Sequence, residues 1–399
     1  MKRLAACLLP SIVAATLCAS PVALANETAQ RETSVPPAEV PQAQRARNVI
    51  LFLADAAGVS VLNAASLLGH GEPLKLRLQQ WPHLGLSETS PVDSFVSDSA
   101  NGMTAIMTGT KTRNGVISQG PDAVRGRQDG TPVKTLLEYA EERGLLTGVI
   151  SSQSIADATP AATYAHANNR GAWGDIFPQV FTPRFGDGVD VLIGAGRQRI
   201  GEQLEAKGTS LNQLAALHGR PIHATLDDIP AESPRPIVVG DAVDVRLATL
   251  KALDLLEQSP SGYFLMVEWD AHTPDPQKGL QNMADFDRLI AEVESRVDLA
   301  DTLLLFTADH SFGLQVDGGR RGEPLLLGYD AWKSSGSEDE TVRLEHVLVN
   351  DTHTAEEVPA LAIGVGAERV RGYFPNTYLF QVMMTAFGWS EDGSNILSE

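Results

Sequence analysis

The chain has 399 residues and a net charge of −19, from 50 acidic against 31 basic side chains. That excess excludes binding of nucleic acid or an anionic membrane through the overall field, and an anionic substrate would need bound cations or a local arginine to reverse the potential at its site. Hydrophobic residues at 43% argue against a disordered chain and supply core enough for one large domain or two smaller ones.

Residues 1–25 place Lys2 and Arg3 ahead of a long apolar stretch and close on Ala23-Leu24-Ala25, the layout of a cleaved secretory signal. Pro10, Ser11, Ser20 and Pro21 interrupt the run, and no second apolar run of that length follows, which argues against a membrane anchor. The expected product is exported, periplasmic or secreted, and free of the membrane once the signal is removed. Both cysteines, Cys7 and Cys18, leave with this segment, so the remaining chain can form no disulfide. Residues 26–47 are polar, carry prolines and show no apolar period, and read as a flexible leader. A single α/β domain is expected over 48–399.

From Asn48 onward, short and nearly continuous apolar runs at 48–54, 145–151, 189–193, 263–267 and 302–307 have the composition of strands covered on both faces. Helical patterns lie between them. Residues 132–143 predict a helix with Thr131 as N-cap, Pro132 in the first turn and Gly144 after the end. Leu280, Met283, Phe286, Ile290 and Val293 predict another over 280–297. This alternation predicts a doubly wound, mostly parallel central sheet with helices on both faces. Segments 209–235 and 315–340 fit the alternation poorly and read as excursions over the sheet that rim the site. Gly194-Ala195-Gly196 follows a strand, but Arg199 stands where a dinucleotide loop would have its third glycine.

In such sheets the carboxyl ends of the strands carry the chemistry. Here they end in Asp55, in Glu268 followed by Asp270 and His272, and in Asp309-His310, with a further His353 downstream. One carboxylate in such a place is an ordinary helix cap. Acids and imidazoles at several strand ends are accounted for more economically by metal binding, mixed Asp and His donors suiting zinc and oxygen donors suiting magnesium. Ser99 is the nucleophile candidate. Asp98 or Ser97 can cap a helix there, leaving Ser99 where free amides and the helix dipole favour negative charge.

Several motifs, in order, resemble the alkaline phosphatase family: Val96-Ser97-Asp98-Ser99-Ala100 with Thr108-Gly109-Thr110-Lys111-Thr112-Arg113-Asn114-Gly115; Asp157-Ala158-Thr159-Pro160 through His166, with Arg170; Phe264 to Glu268; Thr307-Ala308-Asp309-His310-Ser311; and His353 through Pro359. The resemblance implies a metal-dependent phosphomonoesterase with two zinc ions and one magnesium, acting on small-molecule phosphate monoesters. It implies that Ser99 is the phosphorylated nucleophile and binds one zinc together with Asp55, Asp309 and His310. Asp55, Thr159 and Glu268 would hold magnesium with Asp157 in the layer behind, Arg170 would grip the phosphate, and His353 would bind the second zinc. Two departures stand out. The turn at Ala54-Asp55-Ala56-Ala57-Gly58 is poorer in glycine than the family's. After Glu268 the family's aspartate and histidine come five and nine residues on, whereas here Asp270 and His272 follow at once. This pair is the expected replacement and, with His353, the expected ligand set of the second zinc. A related phosphodiesterase or sulfatase, and a non-catalytic periplasmic phosphate-binding protein, are the competing readings, and the sequence leaves a homodimer open.

Overall fold

Asn48–Asp55 (β1) is buried at all eight positions, as a strand with helices on both faces requires. In the computed structural model, which describes residues 45–389 apart from 231, 232 and 338, β1 lies inside a ten-stranded sheet. Its other members are His83–Glu88 (β2), Leu146–Ser154 (β3), Val191–Ala195 (β4), Ile222–His223 (β5), Ile237–Val239 (β6), Tyr263–Asp270 (β7) and Thr302–Thr307 (β8). A second sheet of three antiparallel strands holds Ser311–Val316 (β9), Thr341–Arg343 (β10) and Val347–Thr354 (β11), and Val358–Gly364 (β12) and Gly372–Pro375 (β13) return to the first. The large sheet runs in the order β13-β2-β12-β8-β1-β7-β3-β4-β6-β5. Only β12 pairs antiparallel to its neighbours, so the doubly wound, mostly parallel expectation is met.

The period of two along β1 divides the core. Val49, Leu51 and Leu53 join a cluster that includes the helices Ser99–Thr108, Ala158–Tyr164 and Thr377–Phe387, while Ile50, Phe52 and Ala54 join one with the helices Val59–His70, Val245–Leu256 and Pro276–Arg296. Phe52 meets Phe286 edge-on at 5.8 Å, and truncating it to alanine is worth about 3–5 kcal/mol. Because β1, β7 and β8 are parallel and adjacent, their carboxyl ends bring Asp55, Glu268, Asp270 and the segment carrying Asp309 to one edge of the sheet.

Several boundaries differ from expectation. The helix expected from 132 instead runs Leu136–Glu142, because Thr135 and Glu138 form a reciprocal capping box, while the Thr131 amide is taken by Asp122. The later one starts earlier, as Pro276–Arg296, with Asp275 accepting the Lys278 amide as N-cap. Residues 209–235 do not rim the site: they supply the helix Leu211–His218 and the edge strand β5. The excursion 315–340 contains the helix Tyr329–Ser335 and leads into β10 and β11. At the start, Ala46 is already buried and donates its amide to the Ala386 carbonyl at 2.7 Å, so packing begins before Asn48. The signal segment and most of the leader lie outside the described residues.

Candidate active site

Ser99 is the first residue of a ten-residue helix whose every position is buried. Asp98 caps it, Oδ1 accepting the Asn101 amide at 3.1 Å. Close approach to the β8 end depends on Gly102, where a Cβ would lie 2.5 Å from the Asp309 carbonyl oxygen. The helix start is thereby pressed against Asp309-His310, and Ser99 Oγ comes to 3.4 Å from His310 Nε2.

His310 Nε2 also lies 3.3 Å from Asp55 Oδ1 and 3.5 Å from Asp309 Oδ2. All three residues are buried, and neither of these oxygens has a hydrogen-bond partner. Asp309 Oδ1, by contrast, accepts the amides of Ala56 at 3.2 Å and His310 at 3.1 Å. Ala56 takes the left-handed conformation, φ 71°, at the turn where the family is richer in glycine, and the conformation accompanies an amide aimed at Asp309. Two orphaned buried carboxylate oxygens and one imidazole nitrogen, with ligand atoms within 4.8 Å of one another, suit a divalent cation of the zinc type.

A second group brings together His272, His310 and His353, again with ligand atoms within 4.8 Å. The His310 and His353 rings stack at 3.6 Å. His353 Nδ1 donates to the Ser97 carbonyl at 2.9 Å, which leaves Nε2 as the free donor atom. Asp270 is not in this group. It stands behind His272, its Oδ1 accepting from His272 Nδ1 at 2.9 Å, and β7 pairing sets it opposite Asp55. His310 therefore borders both groups, whereas the sequence assigned it to one. Asp275 is occupied as a helix cap.

Glu268 is buried on β7, hydrogen bonded to the Ser151 hydroxyl opposite it in register on β3. Burial, then the charges of Asp55 and Asp157, push its carboxyl well above the usual range. Thr159 is buried in the first turn of the helix Ala158–Tyr164, which Asp157 caps. Burial and Asp55 raise Asp309 to about 6, whereas Asp55 itself is held below the usual range because His272, His310 and Arg170 outweigh its burial. Burial opposes charge on His272, but Asp55 and Asp270 carry it up to about 9; burial and His310 carry His353 down to about 4. Acids this crowded need cations to be ionised together.

Arg170 reaches in from the loop after Tyr164. Nη1 lies 3.3 Å from Asp98 Oδ2 and Nη2 3.3 Å from Asp157 Oδ1, so two helix caps hold the guanidinium fork between them. Ser97, Ser151 and the second role of Asp98 were not identified from sequence as site contacts. Ser151 closes a predicted strand, but only strand register shows that it faces Glu268.

A family model described as alkaline phosphatase matches residues 46–220 and 245–344. Streptomycin-6-phosphate phosphatase of Streptomyces griseus is 31% identical over 420 residues, covering 86% of this chain and 91% of that protein. Alkaline phosphatase 4 of Drosophila melanogaster is 26% identical, covering 86% of this chain and 76% of its own. Among solved structures, a variant of the alkaline phosphatase from the Antarctic bacterium TAB5, with Mg bound in its M3 site, superposes with a TM-score of 0.70 at 25% identity, covering 88% of this chain and all of that one. His353 lies beyond the matched spans, yet the fold carries it to the same strand ends as the matched acids. With the fold, the strand-end acids and histidines and these likenesses agreeing, the chain belongs to the alkaline phosphatase family and is a phosphomonoesterase.

Proposed function

We propose that the chain hydrolyses small-molecule phosphate monoesters in two displacements through a phosphoserine at Ser99. The observation that carries this is the placement of Ser99 Oγ at a capped helix start, 3.4 Å from His310 Nε2, the nitrogen that itself borders the two orphaned carboxylate oxygens. Asp55, Asp309 and His310 would hold one zinc with Ser99. His272 and His353, bordered by His310, would hold a second, with Asp270 orienting His272 through Nδ1 in place of ligating directly. Asp55, Glu268 and Thr159 would hold magnesium, with Asp157 behind them. Such cations, when bound, stabilise negative charge on serine, phosphoryl and leaving-group oxygens.

The chain's own residues supply the rest. Arg170 presents a planar fork to two phosphoryl oxygens and orients the phosphorus toward Ser99. In the first displacement the Ser99 Oγ–P bond forms as the bond from phosphorus to the ester oxygen breaks, and the departing alcohol carries away a proton. In the second, water attacks phosphorus, the Ser99 Oγ–P bond breaks, and the serine regains its proton as inorganic phosphate leaves. Arg170 favours monoesters over diesters or sulfate esters, since a monoester offers more charged oxygens to the fork. Among the described residues no helix is long and apolar enough to cross a membrane, and the leader chemistry supports an exported enzyme.

Quenching turnover of a labelled monoester in acid and mapping the labelled peptide tests the intermediate. Label is expected on Ser99 and absent from Ser99→Ala; label on another residue, or none in active protein, would overturn the proposal.

A further inference from the structure

The glycine-rich excursion between β9 and β10 takes no part in the reaction proposed above, yet it joins two of the three clustered histidines. At its far end it runs into β10 and β11, and β11 carries His353. Midway along, its helix Tyr329–Ser335 sends two side chains to Asp275. Tyr329 Oη lies 3.0 and 3.1 Å from the two carboxylate oxygens, and Lys333 Nζ lies 2.7 Å from Oδ2. Asp275 stands three residues after His272.

The loop between them is tightly bounded. A Cβ on Gly279 would lie 2.1 Å from the His272 carbonyl oxygen, so the loop rests directly on the first turn of the helix Pro276–Arg296. Asn282 Nδ2 holds the Asp270 carbonyl at 2.9 Å, the Ala271 amide donates to the Asp55 carbonyl at 3.0 Å, and Thr273 is fully buried. A short loop packed this way is aimed by its two ends. One end is β7; the other is Asp275, whose oxygens are taken up by Tyr329, Lys333 and the Lys278 amide.

We propose that Tyr329 and Lys333 are positioning residues for metal retention: by fixing Asp275 they hold His272 facing His310 and His353, and the excursion acts as a strap from the His272 loop to the His353 strand. The inference rests on the metal reading of the preceding subsection. Lys333 is more than half exposed, so its ion pair adds little to global stability. Support behind a ligating histidine, in contrast, is worth about 10- to 100-fold in metal affinity.

The test follows zinc release from the loaded full-length protein to a chromogenic chelator, in wild type, the double variant Tyr329→Phe/Lys333→Met, the conservative Lys333→Arg, and His272→Ala as reference. The double variant is expected to release its more labile zinc about 10-fold faster than wild type, Lys333→Arg to release it at the wild-type rate, and the metal-free thermal midpoints to agree within a few degrees. An unchanged release rate in the double variant, with zinc lost from His272→Ala, overturns the strap alone. Zinc retained in full by His272→Ala overturns the metal assignment, and the strap with it. Faster release matched by a large fall in the metal-free midpoint identifies general destabilisation and also overturns it.

Discussion

Because Asp98 accepts the Asn101 amide through Oδ1 while Oδ2 faces Arg170, one carboxylate fixes both the helix start beneath Ser99 and the guanidinium beside it. Asp157 repeats the device, capping the Thr159 helix through the Ala158 amide at 2.8 Å and holding the other arm of the fork. Arg170 is buried enough that desolvation opposes its charge, but Asp157, Asp98 and Asp55 outweigh burial and raise its pKa. It stays cationic and preorganised. Arg170→Ala is therefore expected to lower kcat/KM for an aryl phosphate monoester by about 10- to 100-fold, and to lower it less for the corresponding diester, which offers fewer charged oxygens. Equal losses on the two substrates would remove Arg170 from phosphate recognition. Asp98→Asn, which keeps a capping side chain but loses the charge, should fall between wild type and Arg170→Ala on the monoester. His166, which lies in one of the family-like segments, is structural: it bridges the Ser118 carbonyl and Glu138 at 2.6 and 2.9 Å.

Elements were legible where one local signal decides them. The run 302–307 is β8 residue for residue, and β1 differs only by including Asp55, because apolar runs too short for a buried helix and bounded by polar residues favour a doubly covered strand. Polar or very short strands carried no such signal. β5 spans two residues, and β11 reads NDTHT over its second half, so its place beside β9 depends on pairing and not on composition. That pairing is what carries His353 to His272 and His310, so the residues of this group were visible in the sequence but their company was not. Also invisible was a polar cluster at the opposite end of the sheet. The Thr147 hydroxyl donates to Glu141, the Thr147 amide donates to Asp190 Oδ2 at 2.8 Å, and Arg235 spans Asp190 and Asp187 at 3.0 and 2.7 Å. Glu141 Oε2 is buried without a hydrogen-bond partner, and burial, reinforced by Asp190 and Asp187, pushes the carboxyl up to about 8. A carboxyl whose folded pKa is raised favours folding while protonated and loses that advantage as pH rises from its unfolded value, near 4.3, to its folded one; the loss approaches about 1.4 kcal/mol per pH unit for a single group. Glu141→Gln should therefore resemble wild type near pH 5 and have the higher thermal midpoint at pH 9. Parallel pH profiles for the two proteins would show that Glu141 does not titrate in this window.

At the scale of the whole molecule, the arrangement is an acidic chain that gathers Asp55, Glu268, Asp309 and Asp157 at one sheet edge, with His272 and Arg170 among the cations beside Asp55. Apolar packing on both faces of β1, β7 and β8 forces Asp55, Glu268 and Asp309 together, because β1 is held in register with β7 from Asn48 to Asp55 and with β8 from Asn48 to Leu53, and Asp309 lies just past the end of β8; Asp157 joins them as the cap of the helix Ala158–Tyr164. Protonation can relieve the crowding, as the raised Glu268 and Asp309 show, but a protonated acid is a poor ligand; divalent cations relieve it while keeping the acids ionised. Metal binding should consequently be a folding term as well as a catalytic one. A cation present at a hundred times its Kd stabilises the native state by about 2.7 kcal/mol if it ignores the unfolded chain, which for a protein of this size is a shift of several degrees in Tm. Exhaustive chelation at pH 8 is expected to abolish phosphomonoesterase activity and lower Tm by that amount, and zinc with magnesium to restore both. Ser99→Ala separates the two consequences, since Asp55, Asp309 and His310 remain to hold the ion: it should keep most of the metal-dependent rise in Tm while showing no turnover. A demetallated wild type that retains full activity and an unchanged Tm would mean that the strand-end acids are balanced by protons alone, and the metal reading of this edge would fall.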